Sequence, residues 1–375
     1  MKVAVVHDWL TSMRGGEKCL EIFCELFPDA DLYTLLHIPG ACSDKIERMK
    51  IHTSFIQRLP FAAKRYRNYL PLFPGAIERF NFRSYELIIS SSHCVAKGII
   101  PPPDSLHICY IHTPMRYIWD MFDDYFFKDR VGAVKRNLIS QIATWLRTWD
   151  AASSSRVDHF IANSRHTQKR VWKYYRREAQ VIYPPVDTSF FQPGGEKQDY
   201  YLMVSALVPY KRFDLAIDAF NQLKRPLVII GGGPEEKRLR GLARFSGIKF
   251  LGRQDDETLR KHYQGCRALV FPGEEDFGIV PVEAMACGRP VIAYARGGLL
   301  ETVIPFNASS HPTGIFFGEQ NPKSLSDAVM NFEKREDEFK PEAIRAQAEK
   351  FDRGIFKEKI SELVERLVPA AGEGK

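Results

Sequence analysis

From Glu275 to Gly288 the chain reads Glu-Asp-Phe-Gly-Ile-Val-Pro-Val-Glu-Ala-Met-Ala-Cys-Gly, with two carboxylates, Glu275 and Glu283, on either side of a Phe-Gly turn. The apolar run Ala268–Phe271 before it reads as a buried strand that ends at Pro272-Gly273. Gly288 and then Pro290 stop a helix, as a glycine past the last turn and a nearby proline do. The predicted unit is strand, loop, helix, strand, with polar groups gathered at the carboxyl end of the first strand. Open α/β sheets bind ligands at that edge. A helix N-terminus there offers unpaired N–H groups and a partial positive charge, which suit phosphate. Carboxylate oxygens at such a place accept hydrogen bonds from a sugar or a ribose. Without its neighbours, the same pair of glutamates reads as an ordinary solvated acidic loop.

The whole string Glu-x-Phe-Gly-x4-Glu-Ala-Met-Ala-Cys-Gly-x-Pro-Val-Ile-Ala resembles the E-x7-E signature of the retaining glycosyltransferases of the GT-B fold, family 4. The resemblance covers nearly the full chain and is strongest from Tyr201 to Val303. It implies that Glu283 binds ribose hydroxyls, and that Glu275 binds the sugar with the backbone of Phe277, Gly278 and Ile279. The stretch Val204–Arg212 resembles the family's Gly-Arg-Leu-x-x-x-Lys-Gly segment, whose arginine and lysine neutralise the donor diphosphate. Lys211 matches the lysine, but Ala206 stands at the arginine position. Arg212, at the usual glycine position, is the candidate to supply the missing charge. Gly231-Gly232-Gly233-Pro234 matches the Gly-x-Gly-Pro turn near the nucleotide, with Gly233 as a donor-binding candidate. Gly297-Gly298 with Glu301, Asn163-Ser164-Arg165 and Val186-Asp187 also match family patterns, the last two with a structural reading.

Two candidates lie in the first half. Gly15-Gly16-Glu17 follows the first predicted strand and opens a helix over Lys18–Phe27, where a glycine pair lets backbone approach a phosphate; a mere turn is the plain alternative. The resemblance places Gly15 and Gly16 against the donor diphosphate, with Asp8 and Arg14 toward the acceptor. His112 ends the run His107–Ile111 ahead of Thr113-Pro114 and on residue type alone is a structural histidine; the resemblance gives it a contact with the donor sugar. The assigned catalytic group is Glu275, His112 and Lys211. Retention of configuration is inherited from the family, whose front-face route needs no enzymic nucleophile, so Glu275 is not assigned that role.

No cofactor and no metal are expected, because His and Cys lack ligand spacing. Asp29-Ala30-Asp31 looks like the D-x-D of metal-dependent transferases of another fold, and a coincidence is the better reading. The strings His7-Asp8-Trp9-Leu10, Val208–Arg212 and Pro281-Val282-Glu283 look most like bacterial mannosyltransferases of surface-polysaccharide assembly. GDP-mannose is therefore the expected donor and a polyprenyl-diphosphate-linked glycan the expected acceptor. Alternatives are a UDP-sugar donor, or a GT-B nucleotide-sugar epimerase that needs no acceptor. A dinucleotide oxidoreductase needs a G-x-G-x-x-G turn, and Glu236 replaces its third glycine. A non-catalytic two-lobed binding protein is a further competitor.

The elements that position these residues follow from size and pattern. At 375 residues the chain suggests two domains. Predicted strands are Val3–Val6, Leu32–Leu36, Leu87–Ser91, His107–Ile111, His159–Ala162 and Gln180–Tyr183, then Tyr201–Ser205, Pro226–Ile230, Ile248–Leu251, Ala268–Phe271, Val291–Tyr294 and Gly314–Phe317. Helical patterns alternate with them, which means βαβ units and parallel sheets. The expected architecture is α/β: two Rossmann-like domains of the GT-B type facing across a cleft, with a C-terminal helix crossing back to the first. Boundaries are set at residues 1–185 for the acceptor domain, 186–199 for a Pro/Gly-rich linker, 200–352 for the nucleotide-sugar domain and 353–375 for the returning helix. Val134–Trp149 shows a helical apolar period that favours core packing, and Ala370–Lys375 is a short low-complexity tail.

Seven cysteines without a C-x-x-C pair read as a reducing compartment. The first residues lack the apolar core of a signal peptide, and nothing approaches a membrane span. The expected location is cytoplasmic, peripheral on the inner face of the membrane. The net charge of +7 falls wholly within the first 190 residues. Between Arg48 and Arg83, eight basic residues and one acid alternate with Phe55, Phe61, Tyr66, Tyr69, Phe73, Phe80 and Phe82. An anionic membrane surface or a lipid diphosphate suits that mixture, and a plain solvated surface over core-facing aromatics suits it equally. No nucleic-acid motif accompanies it, and nucleic acid is not expected as a partner.

Overall fold

Short β-branched runs, buried on both faces in the inner strands, form the parallel strands of two sheets in this computed structural model, which describes residues 1–122 and 133–368. The tail Ala370–Lys375 and the side chain of Val134 lie outside the described residues. The chain divides into two units, Met1–Pro184 with the residues from Phe356 onward, and Pro185–Ile355.

The first unit carries β1 Val3–His7, β2 Asp31–Thr34, β3 Lys50–Thr53, β4 Leu87–Ser92, β5 Leu106–Ile111, β6 His159–Ala162 and β7 Ala179–Val181, in the order β3-β2-β1-β4-β5-β6-β7. Every pairing is parallel. The twelve anticipated strands are all present within a residue or two of their expected ends, and β3 is an addition. Its Lys-Ile-His-Thr lacks an apolar run because it lies at the sheet edge, with Lys50 and Thr53 exposed. Asp31 opens β2 and joins that edge by bonds to Lys50 and His52, both at 2.8 Å, and from the Tyr85 hydroxyl at 2.6 Å. Burial raises the Asp31 carboxyl, but these donors outweigh it and hold it well below the usual range.

The helix Gly15–Leu26 covers one face of this sheet with Cys19, Leu20 and Phe23. It begins at the glycine pair itself, three residues before the expected start. The last helix, Arg353–Leu367, completes the same core: Phe356, Ile360, Leu363 and Val364 are buried, and the Phe356 ring sits 5.8 Å from Phe23 and 5.4 Å from Tyr110.

The basic stretch 48–83 follows the second of its two readings, with the aromatics facing the core. Phe73, Phe82 and Tyr66 are buried, Phe55, Tyr69 and Phe80 pack against them, and Phe61 alone of the seven rings is largely exposed, at 74%. The rings satisfy the core while cations lie over some of them, as Arg79 does on Phe55. The helix Ala133–Ser153 splits likewise. Ile142, Leu146 and Trp149 pack inward, while Leu138 and Trp145 are exposed. All seven cysteines are free thiols.

The second unit carries β8 Tyr201–Val204, β9 Leu227–Ile230, β10 Ile248–Gly252, β11 Leu269–Phe271, β12 Val291–Tyr294 and β13 Gly314–Phe317, ordered β10-β9-β8-β11-β12-β13 and all parallel. Within it residues 186–191 are tied down: Val186 exchanges backbone bonds with Phe351 and Arg353, Thr188 donates to Asp352 at 2.5 Å, and Phe191 is buried. No helix among the described residues is long and apolar enough to cross a membrane.

A buried charge pair stiffens the first unit. Lys97 and Asp150 are wholly buried, with Nζ 2.9 Å from the carboxylate and 2.7 Å from both the Asp150 carbonyl and Ser153 Oγ. Trp119 Nε1 and the Tyr175 hydroxyl each donate to the other carboxylate oxygen at 2.8 Å. The Tyr175 ring lies 4.8 Å from the ammonium. Removing one partner strands a charge in low dielectric, so Asp150→Ala is expected to lower stability by about 3–5 kcal/mol. Urea unfolding followed by circular dichroism measures it, and a loss under about 1 kcal/mol would contradict this account of the pair.

Candidate active site

In each sheet the strand order reverses between two neighbours, β1 with β4 and β8 with β11. Connections leave opposite faces there, so the carboxyl ends stay open for ligands. The candidate residues of the second unit follow β8 and β11, except Gly233, which follows β9. After β8 a 3-10 turn, Pro209–Lys211, leads into the helix Phe213–Leu223. Its Lys211 ammonium hydrogen-bonds the Glu275 carboxylate and lies 5.6 Å from the Tyr210 and Phe271 rings. Neither member of the pair is fully enclosed, with side-chain exposures of 15% and 17%. Beside them a small recess is lined by Met203, Ser205, Lys211, Phe213, Phe271 and Gly273.

Arg212 takes φ +56°, a left-handed backbone that glycine adopts freely and a branched or long side chain adopts at a cost. Its guanidinium turns to Asp214 at 3.2 Å and Gln320 at 3.1 Å. Arg212 therefore lies beside Lys211 in the chain without sharing its carboxylate partner.

The loop of Glu275 is held by backbone. Gly298 donates its N–H to the Glu275 carbonyl at 2.8 Å, and a Cβ on Gly297 would stand 2.2 Å from that same oxygen. Gly278, at φ +90°, is the N-cap of the helix Ile279–Ala286, and Phe277 is buried with its ring 5.5 Å from Phe351. Glu283, in the second turn, is only 3% exposed and accepts from the Tyr263 hydroxyl at 2.9 Å. Burial and the Glu283 carboxylate push the pKa of the Tyr263 phenol well above its ordinary value, so it stays a donor. Gly233 packs against the segment after β8: a Cβ there would lie 2.4 Å from the Leu207 carbonyl oxygen.

In the first unit Gly15 and Gly16 form the first turn after β1, with Arg14 as an exposed N-cap bonded to Ser12 at 3.0 Å. Gly16 and His112 come together: a Cβ on Gly16 would lie 3.6 Å from His112 Nε2. Asp8 corrects its expected role toward an acceptor. It is wholly buried, and its two oxygens accept four backbone N–H groups, from His93, Cys94, Val95 and Ala96, at 2.6–2.9 Å. Such a carboxylate holds the loop after β4 and has no face left for a ligand.

Sequence reasoning passed over four polar residues beside His112. Ser91 Oγ lies 2.9 Å from His112 Nε2 and 3.0 Å from His7 Nδ1. His7 Nε2 faces Glu17 Oε1 at 3.7 Å, and His93 Nδ1 is 3.1 Å from Asp8. Buried polar residues ending two adjacent strands, His7 on β1 and Ser90–Ser92 on β4, were the signal available. Among the described residues no three His, Cys, Asp or Glu side chains converge in a metal-binding arrangement.

These sheets and loops define a class: residues 28–190 match the model of Glycosyltransferase Family 4, and residues 186–351 match that of Glycosyl transferases group 1. The two glycosyltransferase models thus match in succession along the chain, and its parallel-sheet units are those of the GT-B fold. An uncharacterized glycosyltransferase of Methanocaldococcus jannaschii is 31% identical over 48% of this chain and 50% of its own length. The O-antigen chain mannosyltransferase C of Escherichia coli is 36% identical over 26% of this chain and 28% of its own. The chain spans about half the length, or less, of these curated relatives. In fold it is similar to Anabaena HepE, solved with UDP-glucose, at a TM-score of 0.69 and 18% identity over 98% of this chain and 100% of that one.

The Gly297 contact can be tested directly. Gly297 has φ +71° and no room for a methyl, so Gly297→Ala is expected to destabilise the second unit by about 1–3 kcal/mol. Thermal melting reads the loss, and a melting temperature equal to that of the parent protein would show that the Glu275 loop does not depend on this brace.

Proposed function

We propose that the protein is a retaining glycosyltransferase that moves mannose from GDP-mannose to a polyprenyl-diphosphate-linked glycan, in surface-polysaccharide synthesis. The observation that carries the reading is the Lys211–Glu275 pair at the open carboxyl edge of β8 and β11. An ammonium is a fitting partner for a diphosphate, and a carboxylate for sugar hydroxyls. When the donor enters, its diphosphate takes over Lys211, and Glu275 is released to the sugar with the backbone of Phe277, Gly278 and Ile279. Glu283 takes the ribose hydroxyls, and Gly233 lets the chain lie close to the nucleotide. Arg212 swings from Gln320 to supply the charge that Ala206 lacks, and the Gly15-Gly16 turn lies against the diphosphate with His112 on the sugar. Charge grows on the departing diphosphate in the transition state, and a cation already fixed there stabilises it without reorganisation. Arg14 faces the acceptor.

The mannosyl donor is supported by the similarity to a mannosyltransferase of O-antigen chains. A UDP-sugar donor is the second reading, favoured by the UDP-glucose in the HepE structure. The basic stretch 48–83 and the exposed Phe61 support work at the anionic inner face of the cytoplasmic membrane, where a lipid-linked acceptor resides.

Calorimetry with GDP, UDP, ADP and NAD, then with the sugar conjugates of the nucleotide that binds, tests the donor. Tight GDP binding strengthened in GDP-mannose is expected; UDP binding instead moves the donor and brings forward an epimerase, which turns over UDP-N-acetylglucosamine without acceptor. Lys211→Ala is expected to cut kcat about 10²–10³-fold with the protein still folded. Glu283→Gln is expected to weaken nucleotide binding by roughly tenfold or more, the worth of a hydrogen bond to a charged group. Unchanged activity and binding in both variants would remove this site from consideration. Asp29→Ala should leave transfer unaltered.

A further inference from the structure

The helix Ala133–Ser153 has a face that the core does not use. Ile142, Leu146 and Trp149 pack inward, while Asn137, Leu138, Gln141, Thr144, Trp145 and Thr148 are exposed, and none of these exposed residues carries a charge. Leu138 is 61% exposed and Trp145 48%, about two turns apart on one side of the helix. The two threonines ask little of water. Thr144 Oγ1 donates to the Ser140 carbonyl at 3.0 Å, and Thr148 Oγ1 to the Thr144 carbonyl at 3.1 Å, so each hydroxyl proton already has an acceptor within the helix. A helix face turned to water normally carries charged side chains.

The neighbouring stretch supplies the charge. Residues 48–83 pack on the core cluster that Ile142, Leu146 and Trp149 also join, and Trp149 Nε1 donates to Glu78 Oε1 at 2.8 Å. Glu78 is the one acid of that stretch, and Arg156 binds the same oxygen at 2.7 Å, so its charge is answered inside the layer. Arg58, Lys64, Arg65, Arg67, Arg79 and Arg83 are exposed, and none of them forms an ion pair with a described residue. Among them Phe61 is displayed by a braced turn. Its carbonyl accepts from the N–H groups of Lys64 at 3.0 Å and Arg65 at 2.8 Å, and the Tyr69 hydroxyl donates to the Pro60 carbonyl at 2.7 Å. The Phe61 backbone is left-handed, at φ +55°, which a residue with a side chain adopts at a cost, and its ring lies 5.7 Å from the Arg65 guanidinium.

We propose that the uncharged face of the helix Ala133–Ser153 enters the headgroup region of an anionic lipid bilayer through Leu138 and Trp145, and that Phe61 with the cations around it makes the second contact of the same surface. Charge complementarity argues for that partner: cations without internal acids take phosphates, and lipid headgroups present phosphates in a plane. Apolar side chains beside them leave water at the same depth, where tryptophan and arginine both suit the interface. A nucleic acid would use the cations but leave Leu138 in water. The purpose of the contact, bringing the protein to a lipid-linked acceptor, rests on the glycosyltransferase reading; the contact itself does not.

Co-sedimentation of the full chain with vesicles tests the surface, using phosphatidylglycerol mixed with phosphatidylcholine against phosphatidylcholine alone. Binding to the anionic vesicles is expected, weakened in concentrated salt, which screens the charges. Leu138→Ser with Trp145→Ser should weaken it about 100-fold, at roughly tenfold for each apolar side chain kept in water. Lys64→Gln with Arg65→Gln and Arg67→Gln should cost about as much, at roughly fivefold per cation. All five side chains are exposed, so melting curves and nucleotide binding should match the parent protein. Equal binding to both vesicle types, no binding to either, or binding untouched by the helix pair in a folded protein overturns the proposal. So does DNA that binds more tightly than the anionic vesicles. Vesicle binding with no sugar transfer from any donor would uphold the surface and overturn the transferase reading, and transfer without vesicle binding would do the reverse, so the two fail separately.

Discussion

The reversal of strand order between β1 and β4, and again between β8 and β11, governs everything else in this protein. Parallel strands need crossover connections, and right-handed crossovers running outward in both directions must leave from opposite faces of the sheet. No connection then closes over the strand ends at the reversal. Polar groups and helix starts accumulate there because nothing apolar covers them. In the first unit that edge carries the Gly15-Gly16 turn, Ser91 and His112; in the second it carries Lys211, Gly273 and Glu275. The close glycine contacts are consequences of the same crowding. Loops from neighbouring strands converge on the edge, and Gly233 against Leu207 and Gly297 against Glu275 leave no space for a side chain.

Much of this was legible in the amino-acid order, because a parallel strand buried on both faces must be an apolar run. That rule located every strand except β3, whose edge position leaves two of its four residues solvated and its pattern indistinct. The helix after β11 was legible through its stop signals, and Gly288 indeed takes φ +74°. The rings of residues 48–83 left two readings open, because charge and aromaticity mix there at no regular period. Only the folded chain shows that the rings turn in and the cations out. Asp8 misled for a related reason: a carboxylate at the end of a strand looks available until the backbone of residues 93–96 closes on it. Ser91 and His7, 84 residues apart in the chain, meet through the sheet, and Lys97 and Asp150, 53 apart, through a helix packed against the turn after β4; no local pattern announces either pair.

Three carboxylates, Asp8, Asp150 and Glu275, show how a full set of internal donors together with full burial marks scaffolding. Burial alone does not, since Glu283 at 3% exposure is proposed to meet the ribose. Asp8 meets four backbone donors and a histidine, and Asp150 meets an ammonium, an indole and a phenol; both are sealed from solvent. For such groups the surrounding dipoles replace water entirely, and removing any partner leaves desolvated charge behind. Neither can release its partners to a ligand without that loss. Glu275 and Lys211 differ in degree and hence in kind. About a sixth of each side chain still reaches water, which can cover either partner while the other is exchanged. A pair at the open edge therefore trades its internal contact for an external one at a modest difference in free energy. A fully buried pair cannot, and this is the physical reason for locating the chemistry at Lys211 and Glu275 rather than at the better-bonded charges within the core.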